Sequence, residues 1–458
     1  MQHSLLYAKS LSLLLEEVQS ASDMTMVRSG LLRVRRFSRS QGLTLEISDN
    51  RVSIDGVKLQ RTGPGLQRLL EAMAAHGVAQ INVSAGAVPR ELLKLVMELA
   101  RIPGTGGDAP SIFDEMRDAS LWCVQLYPVP RAILAAKSET YTADTALDAP
   151  GQIDERVKSL RQTISTALQA KDIASLSAAL ATLVLVEAGV EKKELRVIWT
   201  SAFDDAATED ALRMLVVALP ECGESIGNVM AVLKRAGDVG AEVLIDRLLK
   251  ADTMAVRRAC LDALAEVRRG TAQLLTMLNH NQWFVVRNAA ALLGEFVSRP
   301  SEPELTATLS HTDERVRAAV ITALLQLDTP TSRATVRGAI RDESAEVRRR
   351  AVRGFLAEHG SAAGVDKLLQ ALERETELEV QLEFLYALGA LASPDAVQKL
   401  IRLCSSDGRY RPPDFRIAAA EALASARLGA SVPLLRAMLK DPDVHARAAA
   451  RHLIRAVS

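Results

Sequence analysis

Through the C-terminal half of the chain, apolar residues recur at helical spacing behind a two-residue phrase. It reads Val256-Arg257, Val286-Arg287, Val316-Arg317 and Val347-Arg348, and returns altered as Val380-Gln381, Phe415-Arg416 and Ala446-Arg447. The second residues of these pairs lie 30, 30, 31, 33, 35 and 31 positions apart. Counted from the first residue, positions +4, +7 and +8 are apolar or small: Cys260, Ala263, Leu264; Ala290, Leu293, Gly294; Val320, Ala323, Leu324; Phe384, Ala387, Leu388; Ala419, Ala422, Leu423. This spacing predicts a helix with one buried stripe. A shorter apolar run precedes each such helix, as in 272–278, 334–340 and 432–439. One unit is therefore helix, turn, helix. A fixed period of this size predicts units stacked so that each covers its neighbour's apolar face.

Toward the N-terminus the pattern changes. Residues 3–37 predict an amphipathic helix or helical pair with a break near 20–23. Its second part carries Arg28, Arg33, Arg35, Arg36 and Arg39, read as a solvated face. From Gly42 the period becomes two. Leu43, Leu45 and Ile47, then Val52 and Ile54, then Val57 and Leu59 are separated by Asp49-Asn50 and Asp55-Gly56, which predicts a three-strand meander. Helices follow at 66–75, 89–100 and 112–117, and strands at 78–83 and 121–126. The reading is a small α+β domain of about four strands.

Residues 128–152, flanked by Pro128, Pro130 and Pro150 and rich in Ala, Thr, Ser and Asp, predict a flexible linker. Helical spacing without the Val-Arg phrase fills 153–250, as three degenerate helix pairs that either continue the stack or form a bundle of their own. The expected organisation is thus an N-terminal helix and α+β domain over 1–127, a linker over 128–152, degenerate pairs over 153–250 and regular repeats over 251–458. The fold class is mainly α.

The turn between the paired helices has its own chemistry. Six residues before the arginine position stand Asn281, His311, Asp342, Glu375 and Asp441, and Asp252 stands five before Arg257. A short acceptor there can cap the second helix, while the arginine reaches turn carbonyls or a neighbouring acceptor. Such regularity points to a ladder between repeats. The paired helices, the acid–arginine phrase and the period resemble HEAT repeats of the short kind known from phycobilisome lyases, over 251–458. The resemblance implies an α-solenoid in which the acid and arginine, here most clearly Asp342 with Arg348 and Asp441 with Arg447, are structural. His311 and Gln381 depart from the pattern and weaken the expected ladder at their units.

Hydrophobic residues make up 48% of the chain but aromatic ones only 3%, as in an alanine- and leucine-rich stack with thin packing layers. Basic and acidic residues balance at 56 each. Nucleic acid is therefore not an expected partner. The four cysteines form no CxxC pair, and no apolar run approaches eighteen residues. The longest near the N-terminus, 11–15, is followed by Glu16 and Glu17. These features predict reduced thiols, no membrane contact and a cytoplasmic location. The glycine-rich stretch 103–108 follows a helix and contains no lysine, so it reads as a connector rather than a phosphate cradle. There is no HExxH or GxSxG motif, and the close pair His445 and His452 is two helical turns apart. No catalytic residue, metal or cofactor is expected.

Binding is the better prospect. On the second helices, positions +2 and +6 point away from the buried stripe, which nominates Arg258, Asp262, Asn288, Arg349, Arg353 and Glu421. Arg348, Arg349, Arg350 and Arg353 form the densest basic cluster, suited to a phosphate or an acidic peptide, or to salt bridges with Asp342, Glu343 and Glu346. Trp283 with Phe284 offers either an interaction hot spot or a helix-start staple. Arg409 and Tyr410 lie in 405–414, the longest connection inside a repeat. The leading expectation is a non-enzymatic scaffold that presents the solenoid face to a protein partner, with the α+β domain free for a second contact or self-association. The alternatives are a HEAT-like enzyme, of the kinds that handle phycobilins or excise alkylated DNA bases, and a regulatory subunit whose N-terminal domain senses a ligand.

Overall fold

A computed structural model describes residues 2–20, 42–48, 51–59, 64–84, 87, 89–102, 111–118, 124–128, 150–355, 362–404, 411–426 and 428–457, together with 27, 30, 31, 33, 34 and 37. The chain falls into two compact units. One combines residues 1–129 with 306–458, and the other spans 130–305.

The period-two stretch builds an antiparallel sheet of five strands. They are β1 (Leu43–Ser48), β2 (Arg51–Ile54), β3 (Val57–Lys58), β4 (Val78–Val83) and β5 (Val124–Pro128), in the order β3-β2-β1-β4-β5. Asp55 and Gly56 both take positive φ, 50° and 77°, which turns β2 back on β3. The Asp55 carboxylate also accepts the Thr44 N–H at 2.8 Å, pinning the turn to β1. All five segments that read as strands pair into this one sheet, with the last at the edge beside β4, one more than the expected count of four. Residues 121–123 of the expected final strand lie outside the described residues, and β5 is described over Val124–Pro128.

Helices α1 (Gln2–Ser20), α2 (Pro64–Ala75) and α3 (Pro89–Ala100) pack on one another, and α1 also meets β1. Tyr7, Leu11, Leu14, Leu43, Leu45, Met73, Leu92 and Leu95 close a core that runs from Tyr7 to Val124 and, among the described residues, draws on none of the repeats. The expected arginine-rich helix face is described only at Arg33, which pairs with Glu17 at 2.5 Å. The glycine-rich stretch 103–108 and most of the expected linker lie outside the described residues.

The C-terminal helical pairs follow the predicted pattern. Second helices are Met254–Val267, Trp283–Glu295, Glu314–Leu327, Ala345–Ala351, Leu378–Leu391, Pro413–Ala426 and Val444–Val457. Every +4, +7 and +8 residue named above that carries a side chain is at most 2% exposed. Within 130–305, the helix Asp238–Leu249 packs directly on Met254–Val267, so the degenerate pairs and the first regular repeat share one packing series. Within 306–458, each second helix packs against the next. They come close at Gly389, where a Cβ would come within 2.7 Å of the Ala422 carbonyl. No described helix is long and apolar enough to cross a membrane.

Candidate interaction surface

The repeated arginines are tied in first. Arg317 places Nε and Nη2 on the two carboxylate oxygens of Asp342, at 2.9 Å each, and Nη1 on the carbonyls of His311 and Thr312. Arg348 repeats the arrangement with Glu375, at 2.8 Å twice, and the carbonyls of Asp342 and Glu343. Arg416 does so with Asp441, at 2.9 and 2.8 Å. Each guanidinium thus closes its own turn and grips the acid of the following one, a bidentate geometry that a lysine cannot copy. The acid in turn accepts a backbone N–H two residues on, as at Asp342 to Ser344 and Asp441 to Asp443.

The two departures keep half of this. His311 Nδ1 accepts the Asp313 N–H at 3.0 Å, so the turn survives with an imidazole in the acid position. Gln381 donates Nε2 to the Glu375 carbonyl, so its own turn also survives.

The basic cluster is matched by acids. Arg349 makes a fork to Glu346 at 2.7 Å twice and lies 3.6 Å from Glu383. Arg350 bonds Glu346 at 2.7 Å and reaches across to Thr322 at 2.8 Å. Burial opposes ionisation of Glu346, yet the Arg349 hydrogen bond and the two guanidinium charges hold its pKa down at about 2. Arg353 pairs at 2.9 Å with Glu91 of α3, and these two side chains are 4% and 0% exposed.

These observations correct the expected binding face. Arg349 and Arg353 do not stand free for a phosphate or peptide, and Asn288, 8% exposed, is buried too. Positions +2 and +6 point away from the first helix of their own pair but sideways toward the second helices of adjoining units. Glu421 illustrates the geometry, accepting from the Tyr386 hydroxyl of the preceding second helix at 3.2 Å. Arg258 and Asp262 are half-buried. Arg409 and Tyr410 lie outside the described residues.

An apolar row remains open. Met254 and Phe284 occupy equivalent places, three residues before Arg257 and Arg287, and are 68% and 37% exposed. Their helices pack side by side. Trp283 stands edge-on to Phe284 with ring centroids 6.0 Å apart, half-buried where Phe284 is open. One ring of the pair is thus partly covered and the other open to solvent. Met254 was legible only by aligning the repeats three positions ahead of the arginine. Among the described residues no group of three His, Cys, Asp or Glu could hold a metal ion.

A sequence model of HEAT repeats matches residues 271–357 and 336–412. No curated protein matches the chain. Among solved structures, it is similar to an engineered protein at 18% identity over 69% of this chain and 97% of that one, with a TM-score of 0.31. Human deoxyhypusine hydroxylase in complex with glycerol aligns at 19% identity, 54% and 95% coverage and a TM-score of 0.25. Kap121p bound to Nup53p aligns at 13% identity, 97% and 53% coverage and a TM-score of 0.37.

Proposed function

We propose that this chain, a HEAT-repeat protein in its C-terminal half, is a non-enzymatic scaffold that grips a protein partner along the row formed by Met254, Trp283 and Phe284. The observation that carries this reading is the exposure of Met254 and Phe284 at equivalent places of adjacent repeats. A monomer gains nothing by holding a flexible thioether and an aromatic ring in water side by side. In a partner's interface the same groups supply adaptable apolar contact, and aromatic side chains and Met are enriched there. The helices that carry the row already bury Cys260, Leu264, Ala290 and Leu293 on their packed sides, so the row is not needed for stacking. It is free to recognise an apolar segment of another protein.

The test uses the full chain with Met254→Glu and Phe284→Glu together. Both side chains point to solvent, so helical content and the urea midpoint stay at wild-type values. Affinity for a partner captured from the source cells and then purified falls by at least about tenfold, as expected for loss of hot-spot contacts. An unchanged affinity in the folded variant removes this row as the site. Turnover of any small molecule by the purified wild-type chain removes the non-enzymatic reading.

A further inference from the structure

We propose that the α+β domain is an internal ligand of the repeats, docked as a preformed body and held in register by Glu91 on Arg353. This goes beyond the scaffold reading and stands or falls independently of it, because it concerns other residues and a partner within the same chain. The two residues are 353 − 91 = 262 positions apart, yet lie in one compact unit with Nη1 and Oε1 at 2.9 Å.

Three observations converge on docking rather than a shared core. Among the described residues, the apolar core of the α+β domain runs from Tyr7 to Val124 and includes no repeat residue, so the domain closes its own interior. What joins it to the repeats includes a fully buried charge pair, and such pairs contribute orientation and specificity more than adhesion. The contact also falls at the irregular repeat. Its second helix is α-helical for only seven residues, Ala345–Ala351, and continues as a 3-10 turn over Val352–Phe355. The other second helices run thirteen or fourteen residues. A 3-10 interruption of this kind marks strain or a hinge. In the same stretch Gly354 packs close on the preceding helix, where a Cβ would come within 2.7 Å of Val336 Cγ1.

The charge inventory fits. Arg348, Arg349 and Arg350 take carboxylates from the repeats themselves, namely Glu375, Glu346 and Glu383, whereas Arg353 takes one from α3. Departure of the domain takes Glu91 away from Arg353 and uncovers a guanidinium suited to a carboxylate in the first turn of another helix. Its occupant is therefore the chain's own α3, and an acidic partner helix reaches it only by displacement.

The experiment is hydrogen exchange by mass spectrometry on the full chain, comparing wild type, Glu91→Gln, Arg353→Gln and the swap Glu91→Arg with Arg353→Glu. Each single variant is expected to speed exchange in both 89–100 and 345–355 by about a hundredfold, the effect of breaking a buried charge pair. β1 and β4 keep their wild-type protection, and the swap recovers much of the lost protection in both segments. Sedimentation of the wild type gives a monomer. The proposal is overturned if either single variant exposes β1 and β4 together with 89–100, because the pair then belongs to the domain's folding. It is equally overturned if 345–355 stays protected when 89–100 opens, or if the wild type sediments as a dimer that exchanges α3 between copies.

Discussion

Arg317 and Asp342 belong to successive repeats, yet they share a fork of two hydrogen bonds at 2.9 Å, with side chains only 7% and 14% exposed. The same guanidinium also holds the His311 and Thr312 carbonyls, so it fixes the turn from which it acts. Arg317→Lys keeps the charge and loses the planar fork. It is expected to destabilise the chain by about 3 kcal/mol, because the Asp342 carboxylate stays buried without its matched donors. Asp342→Asn should cost a similar amount. The double variant should cost less than the sum, with a coupling of about 1–3 kcal/mol in urea unfolding. Strict additivity would mean that the ladder is ornamental and that apolar packing alone sets the stacking.

Gly389 and Ala392, one turn apart, predict opposite signs for opposite substitutions. Gly389→Ala improves helix propensity by about 1 kcal/mol. Its Cβ, however, would meet the Ala422 carbonyl oxygen, Cα and Cβ at 2.7, 2.8 and 2.9 Å, mostly backbone that cannot step aside. Overpacking of about 1–3 kcal/mol wins, and the melting midpoint falls. Ala392 ends the helix Leu378–Leu391 at φ +51°, where a Cβ is strained. Ala392→Gly relieves about 1–2 kcal/mol of that strain and gives back part of it as chain entropy, for a net gain of about 0.5 kcal/mol. Arg268 and Asp328 take the same left-handed geometry eleven residues after Arg257 and Arg317, so the helix stop is a property of the repeat. Thermal unfolding of the two single variants settles both signs.

How much of this was written in the residue pattern depends on how local each feature is. The stripe of Val320, Ala323 and Leu324 was legible because a 3.6-residue period names the buried face of a single helix. The sheet was legible because Leu43 and Leu45 alternate with polar residues and Asp55-Gly56 turns the chain. The exposed face was misjudged at Asn288, Arg349 and Arg353. Reckoning from one helix assigns to solvent whatever is opposite the stripe, whereas a stacked helix has neighbours on two further sides. Glu91 was illegible in principle: in 89–100 it reads as an ordinary first-turn carboxylate, and nothing nearby points to an arginine 262 positions on. Met254 was legible in hindsight only, since a lone exposed methionine becomes a site when Phe284 repeats it.

Acid should loosen the arginine-rich repeat in a defined window. Glu346 has a pKa of about 2 against an ordinary 4.5: burial pushes it up, and the Arg349 bond with the Arg350 and Arg349 charges pulls it further down. Asp313, the cap of Glu314–Leu327, is likewise held at about 2 by the hydrogen bond from the Arg315 side chain, against a smaller effect of burial. A carboxylate whose folded pKa is depressed contributes stability above its unfolded value, and that contribution is lost as the pH falls toward the folded one. The loss therefore lies between about pH 4.5 and pH 2. Glu346→Gln should be less stable than wild type at pH 7 and converge with it as the pH approaches 2 in urea titrations. Parallel curves across that window would mean that the arginines do not bear on Glu346.

Cys260 offers a reporter for whether 130–305 opens as one unit. Its thiol is fully buried on the stripe of Met254–Val267, and burial pushes its pKa up to about 11, with Arg247 pulling slightly the other way. Thiol reagents need an exposed thiolate, so Cys260 is doubly protected. Cys222, half-buried and donating to the Ala218 carbonyl at 3.1 Å, is nearer the surface. At pH 8 alkylation should mark Cys222 in the native chain and Cys260 only where the helix has detached. Because that helix is packed on both sides, by Asp238–Leu249 and by Trp283–Glu295, detaching it requires the stack to part. Cys260 labelling should therefore follow the loss of helical signal as urea is raised. Labelling of Cys260 well before that loss would place a local hinge at the first regular repeat. The degenerate pairs before it and the repeat after it would then unfold as separate bodies, and the packing that joins them would count for little in stability.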